Sequence, residues 1–124
     1  MKFEEKTVSK NYIYRGKILS LRCDDALLPD GKPCKREVVE HSGGASVLAE
    51  TEAGIALVRQ FRYAYQEELY EIPAGKLNAG EEPEKAAARE LSEETGLQAE
   101  RLKLLTVLYP TPGYTNEKIY IYQA

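Results

Sequence analysis

The sequence predicts an α+β fold: a mixed sheet with a packed helix, plus a small N-terminal antiparallel sheet. Three observations predict it in this chain of 124 residues. Short apolar or alternating runs, punctuated by Gly, Pro and Asp, fill the first seventy residues. One segment with helical periodicity and clear end signals follows them. Further strand-like runs come after it, and strands around a single helix make a sheet with the helix on its face.

In chain order, residues 6–14 and 17–26 read as strands separated by Arg15-Gly16. Residues 33–40 form a third, after the turn signal Pro29-Asp30-Gly31. Three strands in so short a stretch make a sheet too small to stand alone. It must pack on the remaining chain or on a partner, which points to a homodimer through these strands. His41-Ser42-Gly43-Gly44 reads as a joint, dividing an N-terminal part, residues 1–42, from a second domain, residues 43–124. There, residues 45–49 and 55–60 are short apolar strands around a turn, residues 67–72 are another ended by Pro73, and residues 102–109 and 118–122 are the last two.

Residues 83–95 are the helix. Pro83 suits its first turn, where the missing N–H costs nothing. Gly96 suits the left-handed position just past its end. Ala87, Ala88, Leu91 and Thr95 are expected to form its apolar stripe. On this helix Glu90 and Glu94 stand four apart, one above the other, with Glu93 beside them. Like charges so placed weaken a helix by ~0.2–0.5 kcal/mol per pair. A hard divalent cation taking carboxylate oxygens would offset that cost, and Mg2+ pairs a few carboxylates with waters and phosphates. The competing reading is a solvated acidic face. Arg89, four before Glu93, could orient it by a charge-assisted hydrogen bond.

The longer spacing decides between them. Gly75, five residues, Glu81, seven residues, Arg89-Glu90-Leu91, one residue, Glu93-Glu94, one residue and Gly96-Leu97 resembles the Nudix box with every fixed position filled. The resemblance implies metal-dependent hydrolysis of a nucleoside diphosphate linked to another group, with Mg2+ or Mn2+ held on the diphosphate. By position, Glu90 and Glu94 would be the main metal ligands. Glu93 would be a further ligand or would handle the water, and the Ala74 carbonyl another ligand. Gly75 would permit the tight loop and Glu81 would brace it.

Residues outside the box resemble the ADP-ribose pyrophosphatase branch: Arg59-Gln60-Phe61-Arg62-Tyr63, Glu71-Ile72-Pro73-Ala74-Gly75, Lys35-Arg36-Glu37 and Pro112-Gly113. This implies that Arg62 meets a phosphate or the terminal ribose, that Leu77 lines that pocket, and that Arg36 and Glu37 reach a neighbouring subunit's adenosine. The products from ADP-ribose would be AMP and ribose 5-phosphate. Another sugar nucleotide, a dinucleotide, or a non-catalytic nucleotide-binding module of the same fold are the alternatives. The Nudix fold is an α/β/α sandwich. The chain stops at Ala124 directly after a strand, so the sandwich is expected to lack its C-terminal part here, including a late loop that often carries the water-activating glutamate. Glu117 is the one carboxylate after Glu100.

Composition narrows the partners. The net charge is −3, which argues against a nucleic-acid backbone. The charge is uneven: residues 1–42 carry nine basic and seven acidic side chains, residues 43–124 eight and thirteen. No run approaches the ~18 apolar residues of a membrane span. Cys23 and Cys34 are too few for a disulfide scaffold and suit a reducing cytoplasm. His41, the one histidine, lies in the joint, so a histidine base or Ser-His triad is not expected.

Overall fold

The computed structural model describes residues 3–124. Twelve strands and one helix follow in order among them: β1 (Lys6–Ser9), β2 (Tyr12–Arg15), β3 (Leu19–Leu27), β4 (Pro33–His41), β5 (Gly44–Leu48), β6 (Glu50–Thr51), β7 (Gly54–Ile55), β8 (Val58–Arg62), β9 (Glu67–Glu71), β10 (Ala74–Lys76), α1 (Pro83–Thr95), β11 (Lys103–Leu108) and β12 (Ile119–Gln123). The chain divides into two compact units. One runs to Ser42 and also takes Tyr109–Glu117; the other is Gly43–Leu108 with Lys118–Ala124.

In the first unit β3 is central. It pairs β4 antiparallel from Leu19 opposite His41 to Leu27 opposite Pro33. Its other edge takes β1 and β2, both antiparallel. The single strand expected over residues 6–14 is therefore two. Asn11 is the reason: its carbonyl accepts the Cys23 N–H, and its Nδ2 donates to the Cys23 carbonyl and the Asp25 carboxylate. The side chain substitutes for ladder bonds, and the register shifts on either side of it. Segment 109–117 joins this unit through β4. The Val39 N–H donates to the Tyr114 carbonyl, the Asn116 N–H to the Val39 carbonyl, and the His41 N–H to Asn116 Oδ1. Cys23 and Cys34 are both free thiols.

The second unit holds a four-stranded mixed sheet in the order β10-β5-β12-β11. β5 and β12 are parallel; the outer pairs are antiparallel. Helix α1 packs on this sheet, against β5, β10 and β12. The core is Ala45, Val47, Ala49, Leu77, Ala86, Ala87, Leu91 and Tyr122. Removing these apolar surfaces from water is what holds helix to sheet, at roughly 25 cal/mol per Å2. The expected strand over residues 55–60 also divides. β7 closes a two-residue pairing with β6, held by Thr51, whose Oγ1 donates to the Gly54 carbonyl. β8 then leaves to pair β9 in a separate two-stranded ladder.

The helix spans the residues its end signals predict. Pro83 is in the first turn, and Gly96 has φ 76°, its N–H donating to the Ser92 carbonyl. Its buried stripe differs from the expectation. Ala86, Ala87 and Leu91 are buried, whereas Ala88 is exposed. The stripe keeps Ala87 and Leu91, as expected, and takes Ala86 in place of Ala88. Alanines on every side of the helix made its phase ambiguous; the sheet fixes it, and brings Glu90 onto the packed side. Among the described residues, no helix is long and apolar enough to cross a membrane.

Candidate functional site

The second unit brings the acidic helix against β10. Gly75 lies within that strand, opposite Ala45, not in a tight turn. What its lack of a side chain provides is room: a Cβ there would fall inside the Glu90 carboxyl group. The expectation that Gly75 permits a tight loop is corrected accordingly. One residue earlier, the Ala74 N–H donates to Glu94 Oε1 at 2.9 Å. Glu90 and Glu94 therefore reach successive residues of one strand, as their shared helix face dictates.

Arg89 governs the other side of the cluster. Its Nε and Nη2 donate to the two oxygens of Glu81 at 3.1 and 3.0 Å, and its Nη1 to Glu90 Oε1 at 2.6 Å. Glu93 lies 3.6 Å away, in ion-pair range, with its side chain 59% exposed. Arg89 therefore orients Glu81 and Glu90 rather than Glu93, correcting that expectation; a planar guanidinium favours the bidentate partner. Glu81 in turn ties the loop: Oε1 accepts the Asn78 N–H, and its own N–H donates to the Asn78 carbonyl, both at 3.0 Å. Asn78 carried no signal in the sequence, since its contribution is only main-chain.

Charge is uneven within the cluster. The Arg89 guanidinium, with help from the Asn78 N–H, holds the Glu81 carboxyl below its ordinary value. Glu94 behaves oppositely. Desolvation pushes its carboxyl up, and Glu90 and Glu71 add repulsion, against the Ala74 hydrogen bond and the Arg62 charge, which pull it down. Arg62 forms a two-pronged pair with Glu71, Nε to Oε2 at 2.7 Å and Nη2 to Oε1 at 2.6 Å. That pair keeps Glu71 below its ordinary value. Glu71 was visible in the sequence only as the residue before Ile72-Pro73-Ala74.

The donor chemistry fits a hard divalent cation: carboxylate oxygens beside a backbone that glycine leaves open to one of them. Among the described residues, no three His, Cys, Asp or Glu side chains converge as a metal-holding group. Mg2+ does not need three, since one or two carboxylates, waters and substrate phosphates complete its shell. Of the other residues implied, Leu77 is buried at 8% exposure within the core. Arg36 and Glu37 are exposed in the first unit, where Arg36 grips Glu5 through Nε and Nη2 at 2.8 and 2.9 Å. Glu117 lies in that unit too, its carboxylate 3.6 Å from His41 Nδ1.

The NUDIX domain model matches residues 40–123. The chain belongs to the Nudix family. Residues 5–39 match a second model, the nucleoside diphosphate sugar hydrolase N-terminal domain. Over 98% of its length the chain is 48% identical to an ADP-ribose pyrophosphatase of Bacillus subtilis. It is 43% identical to a methanol dehydrogenase activator of Bacillus methanolicus and 32% identical to a GDP-mannose pyrophosphatase of Shigella flexneri serotype 5b, again over 98%. The chain spans 66% of the length of each of these relatives. Within this Nudix chain, α1 and β10 hold the acidic side of the motif, and the Arg89–Glu81 pair fixes the loop between them.

Proposed function

We propose that this Nudix chain hydrolyses a nucleoside diphosphate linked to a second group, with ADP-ribose as substrate and AMP and ribose 5-phosphate as products. The observation that carries the reading is the seating of Glu90 and Glu94 on consecutive residues of β10. Glu90, Glu94 and the Ala74 carbonyl would hold Mg2+ or Mn2+, and Glu93, the alternative further ligand, is read as the group that handles the water. When bound, such a cation neutralises diphosphate charge, polarises the phosphoryl oxygen and lowers the pKa of water.

The chain's own residues do the remaining work. Arg89 keeps Glu90 aimed at the site. Arg62 has Nη1 donors beyond the two spent on Glu71, and these suit a phosphate oxygen. Water adds its oxygen to one phosphorus, and the bond from that phosphorus to the bridging oxygen breaks. The bridging oxygen leaves with the other phosphate, and Glu93, exposed to solvent, takes the proton. Leu77 supports this loop from the core side.

A homodimer formed through residues 1–42, in the cytoplasm, completes the reading, with Arg36 and Glu37 reaching the neighbour's adenosine. The exposed Val8, Ile13, Tyr14 and Ile18 of the first unit support it, because apolar surface of this kind favours a cover. Sedimentation of a well-folded monomer at micromolar concentration would overturn the dimer. For the reaction, the protein is incubated with Mg2+ and a panel of nucleoside diphosphates, and products are identified. Cleavage of ADP-ribose to the two monophosphates is the expected result; binding without cleavage would make the chain a nucleotide-binding module. Preferred cleavage of another sugar nucleotide is the second reading, favoured by the GDP-mannose pyrophosphatase relative.

A further inference from the structure

Arg36 of β4 has two carboxylates in reach and grips one of them. Its Nε and Nη2 donate to the two oxygens of Glu5, just before β1, and its Nη1 donates to the Lys35 carbonyl at 2.9 Å. β1 and β4 lie on opposite edges of β3, so the side chain reaches across the central strand to make this pair. The other carboxylate is Asp24, directly opposite Arg36 in the β3–β4 ladder. Residues so opposed share a face, with Cβ atoms roughly 4.5–5.5 Å apart. Asp24 is 4% exposed, and its Oδ2 accepts Arg22 Nε at 2.8 Å. Among the described residues, its Oδ1 is a buried side-chain oxygen with no hydrogen-bond partner. An unpaired acceptor thus faces Arg36 in register, yet the guanidinium is turned to Glu5.

Stability does not account for the Glu5 pair. Its side chains are 46% and 37% exposed, and ion pairs so exposed contribute little net. What the pair fixes is position. A guanidinium carries five N–H donors. Three are spent on Glu5 and Lys35, which leaves one on Nη1 and one on Nη2. Those two form an end-on fork on an exposed residue. Arg36 turned onto Asp24 would satisfy the buried oxygen, which otherwise bears the full cost of its lost hydration, and would withdraw that fork from the surface.

We propose that Glu5 is the positioning residue of Arg36: it holds the guanidinium at the surface for the adenosine end of the substrate and keeps it from Asp24. The inference rests on the reading above in which Arg36 meets adenosine. The ring nitrogens of adenine and the ribose oxygens are acceptors, which a donor-only guanidinium suits. A planar fork held in place before the ligand arrives loses less freedom on binding. Arg36 is the group that touches the ligand, and Glu5 acts through it.

The test is calorimetric titration of the intact chain with AMP, on wild type, Glu5→Ala, Arg36→Ala and the double variant. The expected result is roughly tenfold weaker AMP binding in Glu5→Ala. The double variant should bind no more weakly than Arg36→Ala, because the two residues act as one unit. The melting temperature of Glu5→Ala should stay at or above the wild-type value, since Asp24 Oδ1 gains the released guanidinium. Wild-type AMP affinity in Glu5→Ala overturns the proposal, as do losses that add in the double variant, a melting temperature that falls together with the affinity, or a wild type that does not bind AMP. Turnover is read separately: KM for ADP-ribose should rise in Glu5→Ala with kcat held. A wild type that binds AMP through this pair yet cleaves no diphosphate overturns the hydrolase reading and leaves the positioning role standing.

Discussion

The carboxyl group of Glu90 occupies the space that a side chain on residue 75 would need. One residue of β10 and one of α1 are thus fitted to each other through an absence. Gly75→Ala should displace Glu90, reducing turnover about 100-fold through misplacement. It should also cost ~1–3 kcal/mol of stability by overpacking, read by urea unfolding. Adding Glu90→Ala should return the stability and leave the activity lost. Unchanged turnover in Gly75→Ala would show that Glu90 is not needed where it lies.

Glu94 is expected to trade stability for activity. Its carboxylate, on an exposed residue, carries a raised pKa from partial desolvation and from repulsion by Glu90 and Glu71, while its hydrogen bond from Ala74 requires only an oxygen. Glu94→Gln keeps such an oxygen and removes the charge. Turnover should vanish, and the melting temperature at pH 7–8 should equal or exceed that of wild type. A large fall in melting temperature would assign Glu94 a structural role instead.

Arg89→Lys retains charge but not the fork that spans Glu81 and Glu90. A residue that orients ligands typically accounts for ~10–100-fold in metal affinity or activity. The loss should appear in the Mg2+ concentration needed for half-maximal rate. An unaltered Mg2+ dependence in the lysine variant would contradict the assignment.

Chelation offers a test independent of any variant. EDTA should abolish turnover and excess Mg2+ restore it. Because a ligand bound only by the folded state stabilises it, by ~2.7 kcal/mol at 100 times Kd, Mg2+ should raise the unfolding midpoint. Glu94→Gln should lose that rise. A midpoint indifferent to Mg2+ in wild type would count against a metal site.

The pH dependence has two opposed parts. The folded pKa of Glu71 lies below its ordinary 4.5 because of Arg62, so its contribution to stability is present above 4.5 and is lost as pH falls through the lower folded value. Glu94 has a raised folded pKa, so its contribution is greatest below 4.5 and is lost as pH rises through the folded value. Thermal unfolding across pH 3–8 should show Glu71→Gln flattening the acid side and Glu94→Gln flattening the rise in cost towards neutrality. Parallel curves for all three proteins would refute this division.

The helix and its acids were legible because their signals are local. Pro83 and Gly96 punctuate the segment, and a spacing of four fixes Glu90 and Glu94 on one face whatever the rest of the chain does. What the sequence left open depends on distant partners. Ala86 and Ala88 are alike until packing in the core buries one of them. Arg89 had several acids within reach, and the choice of Glu81 follows from the loop around Asn78. Gly75 looked like a turn glycine because the pairing with Ala45 that makes it a strand residue lies thirty residues away. Asn11 divides a strand by bonds to Cys23 and Asp25, which no pattern within residues 6–14 records.

The attachment of segment 109–117 to β4 has a consequence for how the chain can be divided. The backbone passes between the two units three times, at 42/43, 108/109 and 117/118. A protease cut at the first junction would yield two pieces, and the later piece would carry the stretch that Val39 and His41 bond. The hydrogen bonds of Val39 and His41 would then run between the two pieces. The N-terminal sheet is therefore not a bead that can be strung onto another sequence. Transplanting it would require two excisions and a splice, with Tyr109–Glu117 moving alongside it.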